Sequence, residues 1–395
     1  MNQRRQGRIL VVGAGPAGIA AAIASARAGA QVLLVEAEAK IGGMARSGLH
    51  PYLCGLYPQT DAGTQLLNSG LSTELCAILD KLAPDTAMPL AMGRAQVRIM
   101  PAGILAAAFA KLATAEPNLE IQTHCRLVGI ECAGRKIVNA RLATAKGELT
   151  IKPKAVIDCT GDAIACQLAH ASRPAAPKSQ RQLAGFSFRM TGLGTAGSLP
   201  LQVQVPLAIA QAMRSDRSLP STLRFTTFAP GTAPGEGYCK LALLPNEEVD
   251  AAALANRVLD ILRQAIPTFR HATIVETSPK PLRRDNARLA GKATLTIRDI
   301  VSGKKFPDAA SHGAWPAEFW DQASGPHYQY PPPGTHYDIP NDCLRSAKLN
   351  NLFAAGRCLS ASPLAAAAIR VMGTCIATGE AAGKLAAQAG GNRGS

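Results

Sequence analysis

Residues 8–18 read Arg-Ile-Leu-Val-Val-Gly-Ala-Gly-Pro-Ala-Gly, and this stretch decides the fold. The apolar run at residues 8–12 predicts a buried strand. The glycines after it have separate tasks. Gly13 permits a sharp turn, Gly15 lets the backbone approach a pyrophosphate, and Gly18 lets a helix pack closely on the strand. The spacing therefore predicts a loop that binds a dinucleotide.

The residues after this loop complete a βαβ unit. An Ala-rich run to about residue 28 predicts a helix, and residues 31–35 predict a second strand that ends on Glu36. We expect Pro16 and Ala17 to lie against the phosphates, because a helix N-terminus attracts anions. Glu36 has the offset at which an acid accepts hydrogen bonds from an adenosine ribose. In this context an Ala/Gly-rich unit without a ligand is the poorer interpretation.

A second pair of glycines distinguishes between NAD and FAD. Gly42 and Gly43 follow Glu36 and precede Met44. A loop without side chains lets the backbone close over the ribityl-phosphate arm of a flavin. FAD-binding proteins of the glutathione-reductase type share this pattern, whereas simple NAD dehydrogenases usually lack the pair. The sequence therefore favours FAD, with Gly42, Gly43 and Met44 against the cofactor.

The composition indicates a folded chain with a basic surface. The chain has 395 residues, 47% of them apolar, and a formal net charge of +15, which is enough for one large domain or two with a sizeable core. The charge favours anionic partners, although solubility and neutralisation of cofactor phosphates explain it equally well. The basic residues are scattered and no nucleic-acid-binding motif is present, so a nucleic-acid partner is disfavoured.

Cysteine usage and hydropathy point to a cytoplasmic protein. None of the ten cysteines forms a CxxC or metal-type pair, so we expect reduced, mostly buried thiols and no metal site. No signal peptide is expected, because glycine interrupts the first apolar run too early. No run of eighteen apolar residues occurs, so no transmembrane span is expected.

The first part of the chain predicts helices and a small antiparallel unit around a second buried strand. Helices are expected at residues 62–83, with Ser72 as a cap, and at residues 102–115. A buried strand at residues 155–158 ends in a glycine turn at Gly161. Alternating residues predict an antiparallel meander with strands at 119–123, 126–132, 137–144 and 149–151.

The middle of the chain predicts a second domain. Strands are expected at residues 186–189, 223–228 and 239–244, with one clear helix at 249–265. Residues 305–340 are expected to be loop-like. This segment gathers Trp315, Trp320 and several tyrosines in a chain that is only 4% aromatic. It either lines a substrate pocket or covers the domain surface.

The last part of the chain returns to the first domain. Residues 350–356 predict a strand that ends at Gly356, followed by a long helix at about residues 365–389. The fold class is therefore α/β. It combines a Rossmann-type FAD-binding domain, with a parallel sheet and an antiparallel meander, and an α+β substrate domain with a mainly antiparallel sheet. The expected boundaries are 1–172 and 340–395 for the discontinuous FAD-binding domain and 173–339 for the substrate domain.

The chain resembles the FAD-dependent oxidoreductase family. Besides the N-terminal glycine motifs, the resemblance rests on residues 156–162 (Val-Ile-Asp-Cys-Thr-Gly-Asp), 282–299, 351–360 and 369–383. It implies FAD contacts at Gly13, Gly15, Gly18, Glu36, Gly43, Gly161, Asp162 and Gly356, and it places Arg370 and Val371 near the flavin ring. It does not specify a substrate.

Two departures from the family pattern bear on the site. The family's Glu-Ser/Thr-Arg-Arg block appears here as Asp285-Asn286-Ala287-Arg288, which puts anion contacts in this segment in doubt. Arg357 follows Gly356 where many flavoproteins carry an Asp for the ribitol, so that contact has to come from elsewhere.

Candidates for the chemistry are His50, Arg357 and Arg370. His50 is either a general base near neutral pH or an ordinary loop histidine. Covalent flavin attachment at His50 or Cys54 is the less favoured alternative. Arg357 and Arg370 either stabilise an anionic reduced flavin, bind a substrate carboxylate, or pair with a buried acid. No spacing argument separates the outer candidates, which are Arg283, Arg284, Arg288, His312, His327 and His336.

The leading functional prediction is an FAD-dependent oxidoreductase that acts on a small organic substrate, either anionic or neutral, by hydride transfer or hydroxylation. Whether it is a dehydrogenase, an oxidase or a monooxygenase stays open. No second GxGxxG occurs for a resident nicotinamide, so electrons come from the substrate, from a transient NAD(P)H or from a protein partner. The alternatives are a flavoprotein that modifies a macromolecule, either a protein or, less favoured, a tRNA, and a flavin-binding protein without turnover.

Overall fold

A computed structural model describes residues 7–59, 63–101, 103–195, 197, 199–245 and 248–391. The helices of these residues are α1 (Pro16–Arg27), α2 (Met44–Ser47), α3 (Leu71–Leu82), α4 (Ile104–Thr114), α5 (Ile164–Leu168), α6 (Leu201–Ser215), α7 (Ala251–Ala265), α8 (Ile297–Val301), α9 (Pro363–Ile369) and α10 (Met372–Gly391).

The strands of the described residues form seven sheets, one of them parallel. They are β1 (Ile9–Val12), β2 (Val32–Val35), β3 (Tyr52–Cys54), β4 (Leu90–Met92), β5 (Ala95–Ile99), β6 (Leu119–Gln122), β7 (Cys125–Ala133), β8 (Lys136–Thr144), β9 (Gly147–Ile151), β10 (Ala155–Asp158), β11 (Ser172–Arg173), β12 (Ala184–Thr191), β13 (Thr227–Pro230), β14 (Gly237–Leu243), β15 (Thr273–Thr277), β16 (Arg288–Leu289), β17 (Ala309–Gly313), β18 (Ala317–Asp321), β19 (Gly325–Gln329), β20 (Tyr337–Pro340) and β21 (Leu352–Ala354).

A five-stranded parallel sheet in the order β21-β10-β1-β2-β6 organises the cofactor segments. β1, β2, β10 and β21 are buried along their whole length, which explains their continuous apolar sequences. Ligands of such sheets bind at the carboxyl ends of the strands. The turns after β1, β10 and β21 therefore meet at one edge, although they are far apart in sequence.

Helix α10 packs closely on α1 beside this sheet. A β-carbon at Gly379 would lie 2.2 Å from the carbonyl oxygen of Ala17, and one at Gly383 would lie 2.3 Å from that of Ala21. Ser25 Oγ donates to the carbonyl of Gly383 at 3.1 Å. The small residues of both helices thus allow a backbone-to-backbone contact that fixes the C-terminal segment over the N-terminal unit.

The antiparallel meander differs from its prediction. β7, β8 and β9 form it as expected, but β6 pairs in parallel with β2 and is the edge strand of the main sheet. Its alternating sequence is that of a half-buried edge strand, and its burial is correspondingly partial. Period-two alternation alone does not distinguish a meander strand from a parallel edge strand.

A second, antiparallel sheet in the order β13-β14-β12-β15 packs against α6 and α7. α7 follows the predicted helix, and the Asp250 side chain caps it by accepting from the N–H groups of Ala252 and Ala253. α6 was not predicted, because Pro206 interrupts its pattern. The strand predicted at 223–228 is wrong in its first half, which is a 3-10 turn (Ser221–Phe225) ahead of β13.

The segment predicted as loop-like, residues 305–340, contains four strands. β18 and β19 form a hairpin, while β17 pairs with the more distant β20. The prediction of a loop is therefore wrong. These strands are only four or five residues long and are flanked by Gly and Pro, which hides their period.

Two helix predictions also need correction. The predicted helix at 365–389 is broken into α9 and α10, which meet at 97° around Arg370 and Val371. Ser72 does not cap α3. The N-cap is Gly70, and Glu380 Oε2 of α10 accepts the N–H of Leu71 at 2.9 Å. α4 confirms the helix predicted at 102–115, with Ala102 outside the described residues.

Among the described residues, no single helix is long and apolar enough to cross a membrane. Only α9 and α10 together meet that criterion, and they are sharply bent.

Candidate active site

Two glycine loops form a cradle at the end of β1. A β-carbon at Gly18 would lie 1.7 Å from the carbonyl oxygen of Gly13, whose φ is +95°. A β-carbon at Gly15, in contrast, would meet only Gly43 Cα, at 4.0 Å. Gly43 has a φ of +46°, and its own β-carbon would lie 2.9 Å from Gly15 Cα. Gly13 and Gly18 thus serve the fold, whereas Gly15 keeps space open beside Gly43.

The cradle offers unpaired donors to an anion. No side chain caps α1 at Gly15, and Pro16 occupies the first helical turn. The N–H groups of that turn have no partner within the helix, and they carry the positive end of its dipole. The first turn holds no acid. This arrangement fits the pyrophosphate of a dinucleotide.

Glu36 is held in place at the end of β2. Its Oε2 accepts from the N–H of Ala14 at 2.8 Å, and its Oε1 accepts from the N–H of Glu38 at 3.0 Å. Each carboxylate oxygen retains a free lone pair. The predicted contact between Glu36 and a ribose is therefore chemically available, and it stays a prediction.

The turn after β10 is fixed by the buried Asp158. Its Oδ1 accepts from Thr160 N and Oγ1, at 3.1 and 2.8 Å, and its Oδ2 accepts from Cys166 N at 2.9 Å. This carboxylate orders the turn that carries Gly161, whose φ is +77°.

The structure brings Arg357 and Asp162 together. Arg357 Nη2 lies 3.0 Å from Asp162 Oδ1, and Arg357 Nε donates to the carbonyl of Gly161 at 2.8 Å. Arg357 also donates to the carbonyl of Arg283. Three acceptors fix this guanidinium, so it joins the turn after β21 to the turn after β10. A role in chemistry stays a prediction.

The turn after β21 has no room for a side chain at Gly356. Its φ is +60°, and a β-carbon there would lie 2.8 Å from Ala17 Cβ. Its N–H is donated to Thr378 Oγ1 at 3.1 Å. The third glycine turn thus packs directly against α1.

The break between α9 and α10 positions Arg370 and Val371. Arg370 Nη2 donates to the carbonyl of Glu318 at 2.9 Å. Val371 packs against Gly55, where a β-carbon would lie 2.6 Å from Val371 Cγ2. Thr374 Oγ1 and Trp315 Nε1 are buried in this region without a hydrogen-bond partner among the described residues. A bound polar group would satisfy such atoms.

Three cationic side chains surround Glu318. Lys240 of β14 and Arg284 both stack on Trp320, at 4.6 and 4.5 Å from its ring centroid. Trp320 Nε1 in turn donates to Glu318 Oε1 at 2.7 Å. Burial opposes ionisation of Glu318, but the charges of Lys240 and Arg370 hold its pKa below the usual value. Lys240, Arg284 and Arg370 thus act electrostatically on Glu318, and Asp285 is a second carboxylate that acts on Arg284 and Arg370.

Lys240 has the electrostatic signature of a functional residue. Burial and the charge of Arg284 lower its pKa to about 8, although Glu318 partly opposes the shift. A lysine that titrates near neutral pH inside an enclosed site is a candidate for binding or proton transfer. Sequence reasoning missed Lys240 and Glu318. The available signal was one lysine within the apolar strand β14.

His50 lies beside this cluster and borders a cavity of about 280 Å³. The cavity separates α2 and β3 from the antiparallel sheet, which contributes Arg189, Tyr238 and Glu276. Desolvation by the surrounding protein and the charge of Lys240 lower the pKa of His50, although its side chain is exposed at the cavity. His50 is therefore neutral at pH 7, and its Nδ1 lies 3.2 Å from both N and O of Tyr52.

The remaining sequence candidates lie in different places. Burial raises the pKa of Cys54 far above its usual range, so its thiol is protonated at neutral pH. Arg288 donates to the carbonyl of Ala361 at 2.9 Å. His327 contacts Ser324 at 2.6 Å. His312 and His336 meet elsewhere, on β17 and beside β20.

The model of the family described as FAD dependent oxidoreductase matches residues 8–393. The chain belongs to this family. FAD is accordingly the cofactor and the protein is an enzyme, as the sequence predicted. The glycine cradle and the uncapped N-terminus of α1 fit the pyrophosphate of FAD. Contacts of individual residues with FAD stay predictions.

Two solved structures of a brominase support the fold. The flavin-dependent brominase Bmp2 is 14% identical, with 98% of this chain and 80% of that chain covered and a TM-score of 0.52. A triple mutant of that brominase is 12% identical, with 98% and 81% covered and a TM-score of 0.53. A geranylgeranyl bacteriochlorophyll reductase-like protein of Thermoplasma acidophilum is 13% identical, with 97% and 77% covered and a TM-score of 0.49. No curated protein matches. At these identities the likeness concerns the fold alone.

Proposed function

We propose that this FAD-dependent oxidoreductase oxidises or hydroxylates a small organic anion. The observation that carries the proposal is the convergence of Lys240, Arg284 and Arg370 around Glu318. The charge of Glu318 acts on all three cations, and the buried Asp285 also acts on Arg284 and Arg370. Three positive charges thus face two carboxylates, so positive charge remains in excess in this region. Buried charges of one sign are costly unless a partner compensates them. A substrate carboxylate, enolate or phenolate would supply that compensation.

Each of the three cations has a distinct place in the proposed site. Arg370 is anchored to the backbone of Glu318 and also approaches Gln182 Oε1 at 3.5 Å. Arg284 donates to the carbonyl of Leu183. Lys240 has a flexible stem and stacks on Trp320. We therefore assign orientation of the anion to the two arginines and proton exchange to Lys240 Nζ.

His50 takes a supporting role in this proposal. Because it is neutral at pH 7, it adds no charge to the cation cluster of Lys240, Arg284 and Arg370. Its low pKa makes it a weak base, so it serves better as a hydrogen-bond partner at the cavity wall than as a general base. When bound, FAD supplies the electron transfer, and these side chains supply binding, orientation and proton handling.

We propose a small substrate rather than a macromolecule. The neighbouring cavity of about 280 Å³ at His50 is lined by other residues than the three cations. Electrons come from the substrate, from a visiting NAD(P)H or from a protein partner. We place the protein in the cytoplasm, because all ten of its cysteines are free thiols.

Stopped-flow flavin absorbance tests the proposal and separates its two forms. Purified holoenzyme is mixed without oxygen with a panel of small carboxylic acids and phenols. Bleaching by one of them indicates a dehydrogenase or oxidase. Reduction by NADH or NADPH that an organic anion accelerates, followed by rapid reoxidation in oxygen, indicates a monooxygenase.

The Lys240→Gln and Lys280→Gln variants give the matched comparison. Both remove one positive charge, but Lys280 is exposed. We expect only Lys240→Gln to lose the response to the anion. Equal responses of both variants, or a response to neutral analogues alone, would contradict the proposal. Modification of a protein or tRNA in place of any small molecule would favour the alternative.

A further inference from the structure

Two histidines and an aspartate meet on the strand pair β17–β20, outside the cation cluster. His312 of β17 lies directly opposite Asp338 of β20 in the pairing register. His336 precedes Asp338 by two residues. Side chains two positions apart in an extended chain emerge on the same face. The register therefore brings the three side chains together, although their spacing in the sequence does not indicate a cluster.

The distances between the donor atoms are close to those of a metal site. His312 Nδ1 lies 2.8 Å and His336 Nε2 lies 3.7 Å from the same oxygen, Asp338 Oδ1. All three donor atoms lie within 4.8 Å of one another. Tetrahedral zinc with bonds of about 2.05 Å places its ligand atoms about 3.3 Å apart. Small side-chain rotations would reach that geometry.

The surroundings hold the ligands in place. Asp338 is 4% exposed, and its second oxygen accepts the N–H of Phe306 at 2.9 Å. Asn68 binds the backbone of His312 twice, at 2.8 Å to its N–H and at 2.9 Å to its carbonyl. Outer contacts of this kind orient metal ligands. Both imidazoles are partly exposed, so an ion has a path from solvent.

Lys305 is the competing cation at this position. Its Nζ lies 3.7 Å from Asp338 Oδ1 and donates to the carbonyl of His336 at 2.6 Å. The side chain is 53% exposed, so it can leave.

We propose that His312, His336 and Asp338 form a binding site for a divalent transition-metal ion of the Zn²⁺ type. Two imidazole nitrogens and one carboxylate oxygen are a donor set that such ions prefer. Water completes the coordination. The ion displaces Lys305 from Asp338 and joins β17 to β20. Nothing in this proposal depends on the substrate of the flavin site.

Equilibrium dialysis against Zn²⁺ tests the site. The full-length holoenzyme is used without a histidine tag, with Cys132→Ser as the background because Cys132 is the exposed cysteine. We expect about one ion per chain and at least about tenfold weaker binding in His312→Ala and in His336→Ala. His124→Ala and His327→Ala, outside the cluster, should bind as the background does.

Two further readouts keep the test decisive. Co²⁺ should give visible d–d absorption in the background protein, and this absorption should be lost in both cluster variants. Zn²⁺ should raise the thermal midpoint of the background protein and leave that of His336→Ala unchanged. Unchanged FAD content and circular dichroism exclude misfolding of the variants. Equal binding in the background protein and the two cluster variants, or no saturable binding in the background, would overturn the proposal.

Discussion

Gly15 and Gly18 lie in the same loop, but alanine should harm a different property of the protein at each position. At Gly18 the new β-carbon would lie 1.7 Å from the carbonyl oxygen of Gly13. At Gly15 it would meet only Gly43 Cα, at 4.0 Å. The backbone of Gly15 has φ −77° and ψ −176°, which alanine adopts without strain. Gly18→Ala should therefore harm the fold, and Gly15→Ala should harm only FAD binding.

The magnitudes follow from these contacts. Gly18→Ala forces β1 and α1 apart, and overpacking costs at least about 3 kcal/mol when backbone must move. At about 2.1 cal/mol/K per residue, a chain of 395 residues loses about 4 °C of thermal midpoint for that cost. Gly15→Ala should change the midpoint of the apoprotein by less than about 1 °C, because its conformation suits alanine.

Gly15→Ala, which should leave the stability of the apoprotein unchanged, should weaken FAD binding. A methyl group in the open space beside Gly43 overlaps the position expected for the pyrophosphate. If this steric overlap costs about 1.4–3 kcal/mol of binding free energy, FAD binds about 10- to 100-fold more weakly. FAD titration of the Gly15→Ala apoprotein, followed by quenching of flavin fluorescence, measures this loss.

Both properties have to be measured on the apoprotein, since bound FAD raises the midpoint by mass action. Thermal unfolding followed by circular dichroism then reports the fold alone. The reasoning is refuted if Gly15→Ala destabilises the apoprotein as much as Gly18→Ala does, or if Gly15→Ala binds FAD as tightly as the parent.

Two other predictions concern charge and buried polarity. Lys240 is protonated below its pKa of about 8 and loses its charge as the pH rises through that value. Binding of the carboxylate probe benzoate, followed by flavin absorbance, should therefore weaken above about pH 8 in the parent protein. In Lys240→Gln the binding should be weak and independent of pH. A parent protein whose affinity for benzoate does not fall above about pH 8 would contradict the assignment. Asn351→Leu should lower the free energy of unfolding by about 2–4 kcal/mol, because the Asn351 side chain bonds Ile137 N at 2.8 Å and Ile137 O at 3.0 Å in a buried position. Urea denaturation checks this, with exposed Asn256→Leu as the control.

The parallel sheet was predictable because its sequence signals are local. Residues 8–12, 31–35 and 155–158 are short apolar runs that end in turn residues, and each became a strand. Gly13 and Gly18 also have the roles that their spacing predicts. Gly13 turns the chain with a φ of +95°, and a β-carbon at Gly18 would lie 1.7 Å from the carbonyl oxygen of Gly13 within the same βαβ unit. Local geometry leaves a local pattern, so one sequence is enough to find it.

The cation cluster was not predictable for the opposite reason. Lys240, Arg284 and Glu318 come from β14, from the chain before β16 and from β18, and Trp320 joins them only in the folded protein. No spacing along the chain encodes these contacts. The strands around residue 318 were themselves missed, so the position of the carboxylate was hidden as well.

Arg370 shows how a wrong secondary-structure prediction hides a site. Small residues from 365 to 389 favour one continuous helix, which would place Arg370 along its side. In the structure Gly55 packs so closely on the start of α10 that a β-carbon at Gly373 would lie 2.4 Å from the carbonyl carbon of Gly55. This contact between distant segments accompanies the 97° bend. The bend leaves Arg370 at the end of α9, where its guanidinium reaches Glu318. Tertiary packing thus overrides helix propensity at the position where the proposed anion site needs a cation.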